Sequence, residues 1–427
     1  MDLLFDTVAL QIAGLVLIAA VLLQAVLWLL GTVRETTVQH RQQQLALELL
    51  RNQVETARLQ HQLAADERQS WGGHRKFVVA QLAYVGEGIT SVYLKPHDER
   101  PLPAFRPGQH LTFRFSIPGE RKAVNRCYSL SDGPSSDHYR ITVKRVPSPV
   151  GMDLPPGRSS NYINEALKEG DIVDVKAPKG DFFLDTSRRN PVVLIGGGIG
   201  VTPFISMLAT LDAQGFQREV WLFYGVRNES EHAFKDDLEQ LAKKHPSFHL
   251  HVAYSGVAPD ALPKSDFYHA GHVDLALLQH VLPSSSFEFY VCGPPAMMNS
   301  LVPALVEWGV PKSRIKFEAF GPASIKGFEP VKAAPKQAAT TQQTFKVTFS
   351  RSGRTLNWDS NYDSLLAFGT ANGIAMDSGC SAGECLTCEV ALKSGQVHYV
   401  KEPSEAPDAG NCLPCVCIPE ADLELDT

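Results

Sequence analysis

Six of the eight cysteines in this 427-residue chain fall in its last fifty residues, and Cys380, Cys385 and Cys388 stand as C-x4-C-x2-C. A disulfide framework rarely crowds its cysteines in this way, and the spacing suits metal ligands in a reducing compartment. Taken alone, the run leaves a metal centre and buried thiols both open. A metal centre that moves electrons also needs a source and a destination for them. The length predicts two to four domains. A net charge of −6 provides no basic face, so no nucleic-acid partner is expected.

The N-terminus has a different texture. Val8 to Leu30 is apolar apart from Gln11 and Gln24, and no Lys or Arg precedes Arg34. Roughly 20 apolar residues span a bilayer. The stretch lacks the basic start and small-residue end of a cleaved signal peptide, so residues 1–33 are expected to be a single membrane anchor. Arg34, Arg41 and Arg51 follow it, which predicts single-pass insertion in the cell (inner) membrane with the bulk of the chain cytoplasmic.

Residues 34–71 read as a helical stalk, with no Gly or Pro from Thr32 to Gln69. Leu47, Leu50, Val54, Ala57, His61 and Ala64 follow a spacing of three and four. That seam suits a solvated spacer of about 50 Å. It suits a coiled-coil homodimer equally well, and both readings stay open.

After "SWGGH" the chain turns to short alternating strands such as "RKFVVAQLAYV" and "HLTFRFSI", broken by Pro and Gly. This predicts an antiparallel β-barrel over residues 72–188. From about Pro191 apolar strands alternate with helical stretches, which predicts an α/β parallel-sheet domain over 189–320. Residues 321–343, rich in Ala, Pro, Lys and Gln, read as a linker. New strands then open a last domain over 344–427.

Several short motifs carry chemistry. In "RCYSLSDGP", Arg126 can neutralise a phosphate, while Tyr128 and Ser129 can stack on and hydrogen-bond a flat heterocycle. In "GRSSNYINEALKEGD", residues from Gly157 to Asn161, with Ser159 and Ser160, precede a short helix whose free N–H groups suit a pyrophosphate; a simple Ser cap fits that stretch too. "VVLIGGGIGVTPFISML" is a strand, a glycine turn and a helix, in which Gly198 and Gly200 allow close backbone approach to a phosphate and Thr202 and Pro203 open the helix. "YVCGPPAMM" puts Cys292, Gly293 and Pro294 at the carboxyl edge of a parallel strand, and "FEAFGP" brings Glu318 and Phe320.

In this order the motifs resemble the ferredoxin–NADP reductase superfamily over about Arg75 to Pro322. The resemblance implies that Arg126, Tyr128 and Ser129 hold a flavin, that Gly157, Ser159 and Ser160 lie under the pyrophosphate of FAD, and that Phe320 covers the ring. It also implies that Gly198, Gly200, Thr202, Pro203, Gly293 and Pro294 bind the nicotinamide nucleotide. Ser129, Cys292 and Glu318 would then line the hydride path as catalytic residues. Arg227 in "YGVRNES" would meet a nucleotide phosphate; Gly256 after Ser255 favours NADH, with NADPH left open.

The C-terminal loop resembles plant-type 2Fe–2S ferredoxins, whose fourth cysteine lies on a distant strand. Their L-x-C-x3-P register matches Leu413, Cys415 and Pro419, which makes Cys415 the implied fourth ligand and Cys412 and Cys417 bystanders. The loop departs from these relatives at Ser381, where Arg is common, and at Leu386, where Gly is common. The implied last domain is β-grasp-like. The whole order resembles reductase components of multicomponent oxygenases and hybrid-cluster protein reductases. The implied role is an NAD(P)H-dependent reductase that passes electrons through FAD and the cluster to a redox partner, an oxygenase, hydroxylase or desaturase at the membrane. A respiratory subunit feeding quinones or a membrane complex, and a membrane redox sensor, are the other readings.

Overall fold

The computed structural model describes residues 71–120, 123–148, 156–265, 267–319, 345–379, 382–383, 385–403 and 406–427, together with Gln24 and Trp28. Those last two are helical, and Trp28 is 71% exposed. Among the described residues no helix is long and apolar enough to cross a membrane. The anchor, stalk and linker expected over 1–33, 34–71 and 321–343 lie outside the described residues, apart from Gln24, Trp28 and Trp71.

Ser70–Thr427 forms one compact unit. It opens with six antiparallel strands, β1 (Arg75–Gly86), β2 (Ile89–Pro96), β3 (His110–Phe115), β4 (Val124–Ser129), β5 (Tyr139–Lys144) and β6 (Ile172–Val175). Their order is β4-β3-β6-β1-β2-β5, and a bridge between Leu130 and Ile141 brings the end of β4 back to β5. Alternation sends Phe77, Val79, Val92, Leu94, Leu111 and Phe113 inward to one core. Helix α1 (Arg158–Glu165) packs Ile163 into that core, which fixes where its N-terminus lies.

The second layer is a parallel sheet of β7 (Val192–Gly197), β8 (Val220–Val226), β9 (Phe248–Tyr254), β10 (Tyr268–Ala270), β11 (Glu288–Gly293) and β12 (Ile315–Ala319). Helices α2 (Thr202–Ala213), α3 (Lys235–Lys244), α4 (Leu275–Val281) and α5 (Pro295–Glu307) cover it. Every residue of β7 is buried, as a strand covered on both faces requires. The order β10-β9-β8-β7-β11-β12 reverses direction at β7, so the crevice between the ends of β7 and β11 is where an open α/β sheet takes a ligand.

The last domain has a mixed sheet, β14-β13-β19-β15-β17, and a small pair, β16-β18. Its strands are β13 (Lys346–Phe349), β14 (Arg354–Asn357), β15 (Val390–Ser394), β16 (Val397–Tyr399), β17 (Asn411–Cys412), β18 (Cys417–Pro419) and β19 (Leu423–Leu425). β13 and β19 pair in parallel, and helix α6 (Leu365–Ala371) covers them through Leu365 and Phe368. Ser364 caps α6 by accepting from the Ala367 amide at 3.2 Å.

Candidate functional site

Strand β4 and helix α1 build the first part of the site. The Tyr128 hydroxyl donates to Ser159 Oγ at 3.0 Å, joining two motifs 31 residues apart. Burial pushes the Tyr128 phenol up to about 12, so it is a neutral donor at physiological pH. No side chain caps α1, because Gly157 is the N-cap and Ser160 Oγ donates to the Gly157 carbonyl at 3.2 Å. Its first amides are therefore free for an anion. Ser129 is 4% exposed, and its hydroxyl has no partner among the described residues. A buried orphan hydroxyl on β4 and the uncapped amides of a helix bonded to the same strand through Tyr128 fit a flavin with a pyrophosphate tail. Arg126 donates through Nη1 to the Asn125 carbonyl at 3.2 Å.

The glycine turn after β7 presses on the end of β11. A Cβ on Gly200 would stand 2.3 Å from the Cys292 carbonyl oxygen, so only glycine lets the two strand ends meet. Gly198 is left-handed (φ +54°), and a Cβ there would meet nothing within 4 Å, which leaves its backbone open to a ligand phosphate. Thr202 and Pro203 begin α2 directly after this turn, and Thr202 Oγ1 donates to the Ile199 carbonyl at 3.0 Å. Pro294 is the N-cap of α5 and follows Gly293, the last residue of β11. Arg227 is exposed just past β8 and lies against Gly256, where a Cβ would come within 2.9 Å of Arg227 Cγ.

Cys292 and Glu318 are register partners on β11 and β12. The Cys292 thiol is fully buried, and burial first, then the Glu318 charge, push its pKa well up. It packs as a neutral apolar group in the core. His110 joins these residues to Ser129 and was missed by sequence reasoning. It is the cross-strand partner of Ser129, and its Nδ1 lies 3.8 Å from Glu318 Oε1. Its only local signal is its place after "RPGQ" at the start of β3, which reads as an ordinary strand position. Phe320 lies outside the described residues.

In the last domain Cys385 and Cys388 are 2% and 5% exposed, and Cys380 and Ser381 lie outside the described residues. Cys415 packs in one cluster with Cys388, and the neighbouring Cys388 thiol, then burial, raise its pKa, while the Gly383 amide lowers it. Cys412 and Cys417 are fully buried together in the sheet core. Among the described residues no three ligating side chains already form a metal-ready group. The donor chemistry still fits an iron–sulfur centre: soft thiols meet an amide donor, and a Cβ on Gly379 would strike Cys385 Sγ at 2.6 Å. Leu386 takes a left-handed φ of 56° beside Cys385, the conformation glycine adopts without strain.

Two further contacts lacked any local signal. Thr387 Oγ1 donates to the Asn125 carbonyl at 2.9 Å, across 262 residues. Arg158 pairs with Asp377 at 2.5 Å and with Glu120 at 3.3 Å.

The chain matches the oxidoreductase FAD-binding domain family over residues 88–184, the oxidoreductase NAD-binding domain family over 194–302, and the 2Fe–2S iron–sulfur cluster binding domain family over 347–420. It is 40% identical over 261 residues to a flavohemoprotein of Bacillus cereus, covering 61% of this chain and 64% of that protein. The chain thus spans just under two thirds of the length of that relative. The flavohem-like FAD/NAD-binding domain of nitric oxide dioxygenase from Vibrio cholerae is 35% identical with a TM-score of 0.52, covering 58% of this chain and 99% of that one. Phthalate dioxygenase reductase, a modular structure for electron transfer from pyridine nucleotides to a 2Fe–2S centre, is 27% identical with a TM-score of 0.50, over 83% of this chain and 98% of that one. With matches to all three domain families in that order, the chain is an oxidoreductase whose cofactors are FAD, NADH and a 2Fe–2S cluster.

Proposed function

We propose that this reductase supplies electrons to a membrane-associated oxygenase, hydroxylase or desaturase, held beside it by an anchor within residues 1–33. The observation that supports the reading is the union in one compact unit of the uncapped helix α1 bonded to β4, the glycine turn between β7 and β11, and a cysteine loop hydrogen-bonded to β4. The bound groups supply a hydride donor, a two-to-one electron converter and a one-electron carrier.

The chain's own residues bind and orient. Arg126 and the α1 amides take the negative charge of the flavin's phosphates, and Gly157, Ser159 and Ser160 shape that cradle. Tyr128 and Ser129 would hold the flavin ring, the Ser129 hydroxyl being free to hydrogen-bond it. Gly198, Gly200, Thr202, Pro203, Gly293 and Pro294 admit the nicotinamide nucleotide at the sheet crevice, with Arg227 on a phosphate. Cys292 gives the crevice an apolar floor, and Glu318 with His110 adds a polar pair that can hold a proton at Oε1 or Nδ1. Cys380, Cys385, Cys388 and Cys415 are the proposed iron ligands.

A Cys388→Ser variant should still reduce ferricyanide from NADH, because that needs flavin alone, and should lose most reduction of the one-electron acceptor cytochrome c. Undiminished cytochrome c reduction would place electron exit at the flavin and remove the reading. Fractionation supplies the membrane arm: the full chain should sediment with membranes, and residues 34–427 should not.

A further inference from the structure

The last domain touches the barrel at the two elements that carry the proposed flavin residues. On β4, the Asn125 carbonyl accepts from Thr387 Oγ1 at 2.9 Å and from Arg126 Nη1 at 3.2 Å. One oxygen atom thus joins the cysteine loop to the arginine of the flavin motif. At the start of α1, the Arg158 guanidinium pairs with Asp377 at 2.5 Å, eight residues before Cys385 in the chain. A phosphate-binding role for Arg158 would leave it free, whereas Glu120 and Asp377 both hold it here.

Thr387 also accepts a hydrogen bond from the Cys385 thiol at 3.0 Å. Iron would take Cys385 as thiolate, with no proton to donate. The single hydroxyl proton of Thr387 then has two acceptors, the Asn125 carbonyl and the Cys385 sulfur. The structure has it on Asn125.

We propose that Thr387 and Asp377 are positioning residues that seat the cluster loop on the flavin strand, with the Thr387 hydroxyl bonded to Asn125 rather than to sulfur. The proposal rests on the reading that electrons pass from flavin to cluster. Both contacts are intramolecular, so losing either lowers the ratio of seated to unseated molecules by roughly fivefold. The Arg158–Asp377 pair is partly solvent-exposed and should weaken as salt rises.

The test uses the full holoprotein and its Thr387→Val, Thr387→Ser, Asp377→Asn and Thr387→Val/Asp377→Asn forms. Cluster content is fixed by iron and visible absorbance, and cluster reduction by NADH is followed by anaerobic stopped flow. The cluster midpoint potential and the radius of gyration by X-ray scattering provide readouts apart from turnover. Expected are slower cluster reduction in Thr387→Val and Asp377→Asn, a larger radius in the double variant, an unshifted potential, and recovery in Thr387→Ser. Salt should slow the native protein and leave Asp377→Asn unchanged. A lowered potential with an unchanged rate in Thr387→Val would mean that the hydroxyl serves the sulfur, and would overturn the proposal. So would an unchanged rate and radius in the double variant. If Thr387→Val loses its cluster, Asp377→Asn decides by the same criteria. Failure of the underlying electron path is distinguishable, because the native cluster itself would then stay oxidised under NADH.

Discussion

Replacing Gly200 by alanine tests the close meeting of β7 and β11. The added Cβ would stand 2.3 Å from the Cys292 carbonyl oxygen, 2.6 Å from its carbon and 2.9 Å from Gly293 Cα. All three are backbone atoms, so no side-chain rotamer relieves the clash, and either the glycine turn or the end of β11 must move. Overpacking of this kind costs about 1–3 kcal/mol, and a backbone neighbour places it near the upper end. For a domain of this size, roughly 3 kcal/mol lowers the melting midpoint by about 10 °C. The shift also carries the crevice with it, so the NADH KM should rise. Gly198→Ala is the control: its Cβ meets nothing within 4 Å, and its φ of +54° costs only about 1–2 kcal/mol. It should destabilise less, and it should raise the KM because the new methyl enters the proposed phosphate space. Calorimetry and steady-state kinetics on both variants decide. A Gly200→Ala protein with native melting and native KM would show that the turn does not rest on Cys292.

Two other outcomes follow from the same geometry. Cys415→Ser should lose iron and visible absorbance while Cys412→Ser keeps both, since Cys415 packs with Cys388 while Cys412 is buried with Cys417 in the sheet core; the reverse pattern would reassign the fourth ligand. Burial, then the nearby Lys235 charge, depress His232 to about 4, so the folded state holds it neutral while the unfolded chain protonates below about 6.5. That contribution is complete above about pH 6.5 and is lost as the pH falls towards 4, by about 2 kcal/mol at pH 5 in denaturant titrations. His251, depressed mainly by burial, acts in the same sense. His232→Gln should flatten this fall, and an equally steep fall in the variant would refute the assignment.

Much of the architecture was legible because local patterns fix it. Alternation in "HLTFRF" and the unbroken apolar run of β7 each admit one kind of strand, and "GGGIGVTP" ties a strand to a helix. His110 was not legible, because a histidine opening a strand carries no sign that its ring meets a carboxylate 208 residues away. Arg158 read as part of a pyrophosphate loop, whereas Glu120 and Asp377 occupy its guanidinium. Thr387 looked like filler between two cysteines, since its partner lies 262 residues distant. Contacts between domains depend on how finished surfaces meet, and no local periodicity encodes that. Leu386 shows the opposite limit: its departure from glycine was visible, but its left-handed backbone was not.

The central claim is that electrons from NADH leave the flavin through the cluster. Anaerobic stopped-flow mixing of the full holoprotein with NADH, followed across the visible spectrum, tests it most directly. Flavin bleaching should come first, and the absorbance of the oxidised 2Fe–2S centre should then fall within the time of one turnover. Flavin that bleaches fully while the cluster stays oxidised through many turnovers would contradict it.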